Sequence, residues 1–204
     1  LTSNIVVNAD VVVDGQLNPS TEGFRAWQPI GTSSFVMSYN FDGDGYSISG
    51  LYCKDTQYAA LIGFVSGDNV EIKNVTVRDS YFSNSNTVAG IVARKGDGSL
   101  TISNCHFYGL VEASQGMCGA ILGWVPTGQT TIDNCSNRGT IRSTDRYCGG
   151  IVGTASSSIN ITDSYNATEG RVENTKNYTG GIVGGTSSTA TLIGCHNDGY
   201  VTGQ

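Results

Sequence analysis

CGGIVG, residues 148–153, recurs as TGGIVG at 179–184, and more loosely as CGAILG at 118–123 and VAGIVA at 88–93. Set in register on this glycine-flanked apolar step, the chain falls into five rows that begin at residues 59, 89, 119, 149 and 180. A fixed period of this length marks an architecture in which each unit stacks on the next. The columns support that register. One reads Ile62, Val92, Leu122, Val152, Val183, and a second reads Ile72, Ile102, Ile132, Ile161, Leu192. A third holds Val75, Cys105, Cys135, Ser164 and Cys195, and late in the rows come Gly109/Val111, Gly139/Ile141, Gly170/Val172 and Gly199/Val201.

Each row thus carries short apolar stretches divided by Gly, Asn, Ser and Thr turns, and none is long enough or periodic enough at 3.6 residues to be a helix. The expectation is an all-β chain folded as a parallel β-solenoid, or β-helix, with roughly 30 residues and three short strands per coil and rungs about 4.8 Å apart. One row cannot bury its apolar face alone, whereas stacked rows share a continuous core. Residues 1–58 depart from the period and read as an N-terminal cap and a first short coil. Residues 59–204 supply five repeat coils, continuous with it in one domain. Within the irregular part, IVVNADVVVDG (5–15) reads as an edge strand or cap. FDGDGYSISGLYC (41–53) reads as a shortened coil, with Ile48 and Leu51 matched to Ile72 and Val75 at an offset of 24 residues. The chain stops at YVTGQ, where another glycine step would begin, so more chain or another domain is expected over that end.

Composition narrows the function classes. With 28 Gly, only 3 Pro and 14% charged residues, the chain suits many short strands and tight turns. A net charge of −6, with 11 Lys and Arg scattered singly, argues against a nucleic-acid partner. Apolar runs are far shorter than a membrane span, so no membrane insertion by this segment is expected. A start at Leu1 reads as a mature or excised segment.

WQPIG (27–31), then FDGDGYSISGLYC, then the repeated GGIVG … I-x-N-C … G-x-V pattern resembles the GLUG-repeat modules of bacterial cell-surface proteins of the gut Bacteroidetes type. The resemblance covers residues 24–204, with Ala60–Gly63 and Gly90–Ala93 departing slightly from the motif. Such modules occur in adhesin-like proteins and in some immunoglobulin A proteases, whose catalysis lies in other domains. The resemblance implies a secreted or surface-located, non-catalytic repeat protein. Expected partners are a glycan or host surface protein and other domains of the same polypeptide.

Several residue groups are candidates for chemistry. Cys118 and Cys148 share one column, and Cys105, Cys135 and Cys195 another; columns that also accept Val and Ser point to core thiols, although neighbouring rungs lie close enough for a Cys118–Cys148 bridge. Cys105-His106 and Cys195-His196 sit three rungs apart, too far to share an ion. Asp42 and Asp44 in FDGDG open like a calcium loop, yet the third ligand and the distal Glu are missing, and Asp-Gly also forms ordinary turns. The acidic residues form no column of the kind a β-helix polysaccharide lyase or hydrolase would need, so the expectation is no catalytic residue, no metal and no cofactor. That carbohydrate-active enzyme is the alternative reading. Tyr147 and Tyr178, one place before successive glycine steps with Met117 below them, are the candidate ligand-binding strip. Facing outward, they would suit stacking on a sugar or packing on a protein; facing one another, they would simply brace the rod.

Overall fold

The computed structural model describes residues 1–203. It is all-β, a parallel β-solenoid of about five turns. The two leading apolar columns are rungs of one ladder: Ile62 pairs with Val92, Leu122, Val152 and Val183 in succession, and Ile72 with Ile102, Ile132, Ile161 and Leu192. From Leu51 to Val172 these inward side chains are fully or almost fully buried. At roughly 1.5–3 kcal/mol for each buried aliphatic side chain, the shared column is the main source of stability. In the last coil Leu192, which ends the second of these columns, is 44% exposed, and Val201, which ends the column through Val111 and Val172, is 37% exposed.

A representative coil holds strands Val152–Ala155, Ile159–Thr162 and Arg171–Asn174, with two-residue segments at Cys148–Gly149 and Tyr165–Asn166. The three strands expected per coil are therefore joined by two short paired corners. One corner is built on asparagine. Asn74, Asn104 and Asn134 all adopt left-handed φ (56°, 51° and 47°), a conformation Asn tolerates better than most residues. Their side chains form a ladder, Asn104 Nδ2 donating to Asn74 Oδ1 at 3.1 Å and Asn134 Nδ2 to Asn104 Oδ1 at 2.6 Å. A second ladder runs Asn137–Asn166–Asn197 at 2.8 and 2.7 Å, buried at Asn137 and Asn166 and exposed at Asn197 in the last coil. These ladders are the physical content of the asparagines in the repeat.

The lead-in corrects the sequence register. Phe41 pairs with Ile72, Ile48 with Val77 and Tyr52 with Tyr81, offsets of 29–31 residues rather than 24. Ile30 bridges to Ile62 and Met37 to Val65, so the coil before residue 59 has ordinary length. Its opening stretch was hidden because Ile30 and Met37 meet the next coil only at isolated bridges, and Pro29-Ile30-Gly31 keeps just the last two residues of the step that marks the other rows. Ile5–Val6 adds as a parallel edge strand on Ile48–Ser49, and Val12–Val13 folds back antiparallel on Gln16–Leu17. That hairpin lies along the side of the rod, where buried Val11 packs on Tyr81 and Leu110.

Candidate functional site

The glycine step makes a corner tight enough to bring two columns side by side. A Cβ on Gly153 would stand 2.8 Å from the Cys118 carbonyl oxygen, so only glycine lets the strand pass that close to the preceding coil. The column before the step reads Tyr58, Thr87, Met117, Tyr147, Tyr178. The column after it reads Phe64, Arg94, Trp124, Thr154, Gly185. Together they form an aromatic ridge along the rod.

The ridge is ordered by ring contacts. Tyr147 and Tyr178 stack with centroids 4.8 Å apart and planes 14° from parallel, and Tyr178 is 53% exposed, so the pair braces itself and still faces solvent. Toward the N-terminus, the Arg94 guanidinium lies 4.5 Å over Trp124, 5.2 Å over Phe64 and 5.4 Å over Tyr58. Its Nη1 donates to the Tyr58 hydroxyl at 2.6 Å. Arg94 has no carboxylate partner among the described residues, so the rings are its principal neighbours. Tyr58, Tyr147 and Tyr178 have φ of 57°, 57° and 66°, a left-handed conformation unusual for bulky residues and costing of order 1–3 kcal/mol each. Between Trp124 and the two stacked tyrosines opens a groove of about 290 Å³, lined also by Met117, Thr154 and Ser156, and by Gly185, Thr186 and Ser187. All three residues of the expected strip, Met117, Tyr147 and Tyr178, line it. Sequence reading missed Trp124, Phe64 and Arg94. They share one offset, two residues past the second apolar residue of the step, and reading that column would have found them.

A second face carries charge. Glu112, Arg142 and Glu173 occupy successive rungs of one outward column, which corrects the expectation that the acidic residues form none. Arg142 Nη1 donates to Glu112 Oε1 at 2.8 Å and its Nε to Glu173 Oε2 at 2.9 Å. The remaining oxygens are also taken: the Tyr81 hydroxyl donates to Glu112 Oε2 at 2.8 Å, and Arg171 Nε to Glu173 Oε1 at 2.9 Å. Burial pushes the Glu173 carboxyl up, but the hydrogen bonds and charges of Arg142 and Arg171 outweigh it and hold the group below its ordinary value. Burial first, with the Glu112 carboxylate adding to it, pushes the Tyr81 phenol up to about 12. Cavities of about 320 and 400 Å³ flank this ladder and meet at Arg142 and Thr144. Searching for acids alone hid the column, because an arginine sits between its two glutamates.

The remaining candidates fall into structural roles. Asp42 Oδ1 accepts the Asp44 backbone N–H at 2.8 Å and the Asn74 amide at 3.0 Å. Those two contacts, in that order, hold its carboxyl below the usual range. Asp44 itself takes a left-handed φ of 52° in the same turn. Among the described residues, no three His, Cys, Asp or Glu side chains group so as to hold a metal ion. Cys118 and Cys148 are free thiols with sulfurs 3.3 Å apart, both buried. His106 Nδ1 is 2.8 Å from Ser136 Oγ, while His196 stacks on Tyr165 with centroids 4.9 Å apart.

No family model and no curated protein matches the chain. Among solved structures, the fold is shared with a crystal structure described as a "putative immunoglobulin A1 protease from Bacteroides ovatus". The two superpose with a TM-score of 0.76 at 24% identity, over 89% of this chain and 57% of the other. This chain therefore matches a little over half the length of that neighbour.

Proposed function

We propose that this chain is a non-catalytic, extracellular recognition module of the GLUG-repeat kind, acting on a bacterial surface as an adhesin or spacer that binds glycans or host surface proteins. The observation that carries it is the aromatic ridge, which draws Tyr58, Phe64, Trp124, Tyr147 and Tyr178 from four of the five coils and opens into a groove beside Trp124, Tyr147 and Tyr178. Three tyrosines kept in left-handed backbone conformation support the reading, because strain of that kind concentrates at functional sites. A stiff rod also repeats its face, so weak contacts can add along it. The neighbour's name links a rod of this fold to a protein described as a protease of immunoglobulin A1. A module of this kind would hold a protein partner while catalysis proceeds in another domain.

A carbohydrate-active β-helix enzyme is the second reading, and the Glu112–Arg142–Glu173 column is what favours it. Acid–base work on a glycosidic bond needs one carboxyl that carries a proton and one that is free to act. Here every carboxylate oxygen of the pair is already bonded, and Glu173 is held ionised. The geometry fits a structural ion ladder better than a catalytic pair.

The test is a glycan and mucin binding screen of the chain beside a Tyr147→Ala/Tyr178→Ala variant of equal thermal stability. Binding by the parent and loss in the variant is the expected result. Absence of binding by the folded parent would remove glycan recognition and leave the spacer, and turnover of any glycan would replace both with the enzyme.

A further inference from the structure

The column after the glycine step runs Phe64, Arg94, Trp124, Thr154, Gly185: three flat side chains, then a small one, then none. Arg94 covers one face of Trp124 at 4.5 Å. The opposite side of Trp124 along the rod belongs to Thr154 and then Gly185, neither large enough to cover an indole. The stack of planes therefore ends on an open face, and the groove of about 290 Å³ lies against it. Tyr147 closes the far side, its ring lying where a Cβ on Gly185 would be, 2.6 Å from Cδ1.

We propose that this groove is a subsite for a single neutral pyranose ring, seated on the open face of Trp124. The proposal rests on the recognition reading above and names its ligand class. Three features lead to that class. The walls pair aromatic faces with the hydroxyls of Thr154, Ser156, Thr186 and Ser187, and so suit a ring with a C–H face and a hydroxyl-bearing edge. No lining residue carries a charge, so a ligand carboxylate or ammonium would lose water there without a counter-ion. Of the two nearest cations, Arg94 sits behind the indole, on the side away from the groove, and Arg146 lines the adjoining cavity, paired with Asp145 at 3.6 Å. Finally, the volume falls at the lower end of ligand sites, enough for one ring rather than a length of polymer.

The chain has two tryptophans, and the other is a built-in reference: Trp27 packs on the core with its Nε1–H donating to the Ala60 carbonyl at 3.1 Å. In a Trp27→Phe background, the emission of Trp124 is titrated with the methyl glycosides of glucose, galactose, mannose and N-acetylglucosamine. N-acetylneuraminic acid and N-acetyltyrosine amide serve as the acidic-sugar and peptide-like probes. Saturation-transfer NMR on the unsubstituted chain reads the same contacts should Trp27→Phe fail to fold. At least one neutral glycoside is expected to shift Trp124 emission saturably and to transfer magnetisation through its C–H face. Trp124→Ala is expected to weaken it about tenfold, the equivalent of one aromatic stacking contact. Equal or tighter binding of either other probe, or an unmoved Trp124 under every neutral glycoside, overturns the subsite. If glycans are captured in the screen through Tyr147 and Tyr178 while Trp124 stays silent, the subsite fails and the recognition reading stands. If the folded chain captures none, the recognition reading fails with it.

Discussion

Two outward columns of the same rod can be set side by side. Along Glu112, Arg142 and Glu173, every charged group finds its partner one rung away, and the arginine bridges two carboxylates at 2.8 and 2.9 Å. Along Phe64, Arg94 and Trp124, a cation sits among rings without a carboxylate, and the next two rungs, Thr154 and Gly185, leave the last ring uncovered. Both columns rest on the same buried aliphatic core and the same rung spacing. The contrast teaches that, on a repeat scaffold, stability and recognition can be assigned column by column. A column that closes on itself stabilises the rod, whereas one that stops short leaves a surface to be completed from outside.

The largest effect that would sharpen this contrast is expected at Arg142. Arg142→Ala removes two charged hydrogen bonds between groups 21–34% exposed, and should cost about 1–2 kcal/mol in urea unfolding after discounting for solvent screening. Binding at the aromatic groove should not change. The pH response should change too. Glu173 is held below its unfolded value of 4.5, so its contribution is complete above that pH and disappears as pH falls through the lower folded value. Chemical unfolding between pH 6 and 3 should therefore show a steeper acid limb in the parent than in Arg142→Ala. A parallel pair of curves would mean the ladder contributes little.

A smaller effect separates backbone from side chain at the ridge. With φ at 57°, Tyr147 pays for a conformation that glycine adopts freely. Tyr147→Gly should be more stable than Tyr147→Ala by about 1 kcal/mol, while both lose ligand equally. Retention of binding in the glycine variant would show that the ring is not used. Smallest is Gly185→Ala, whose Cβ would stand 2.6 Å from Tyr147 Cδ1 and 2.8 Å from its Cε1, so the ring must leave its stack on Tyr178. Stability should fall by about 0.5–1.5 kcal/mol, the worth of one aromatic pair. Groove affinity should fall several-fold, because the Tyr147 ring leaves its place beside Tyr178. Unchanged affinity would detach that ring's position from binding.

Much of this was legible in the chain itself. The columns through Ile62, Ile72 and Val111 appear in the sequence because an inward position tolerates only apolar residues, and a 30-residue period makes them recur. Tyr147 and Tyr178 were legible because they repeat one residue type at one position. Trp124 was not, since Phe64, Arg94, Trp124, Thr154 and Gly185 share no chemistry, and their kinship is only that of register. Glu112 and Glu173 were missed for a related reason: the column alternates in sign, so a search for like residues passes over it. The coil before residue 59 escaped because it opens on an isolated bridge at Ile30, where Pro29-Ile30-Gly31 keeps only the end of the glycine step. The hairpin at 12–17 packs sideways on Tyr81 and Leu110, a tertiary contact that no periodicity reports.

The measurement that bears most directly on the division between the two faces is amide hydrogen exchange with and without the ligand selected by the binding screen. Added protection is expected in residues 117–125, 147–156 and 178–187, around the groove, and none in 110–114, 140–144 and 171–174, along the ion ladder. Protection along Glu112, Arg142 and Glu173 instead would contradict it, and would make the charged column the working face.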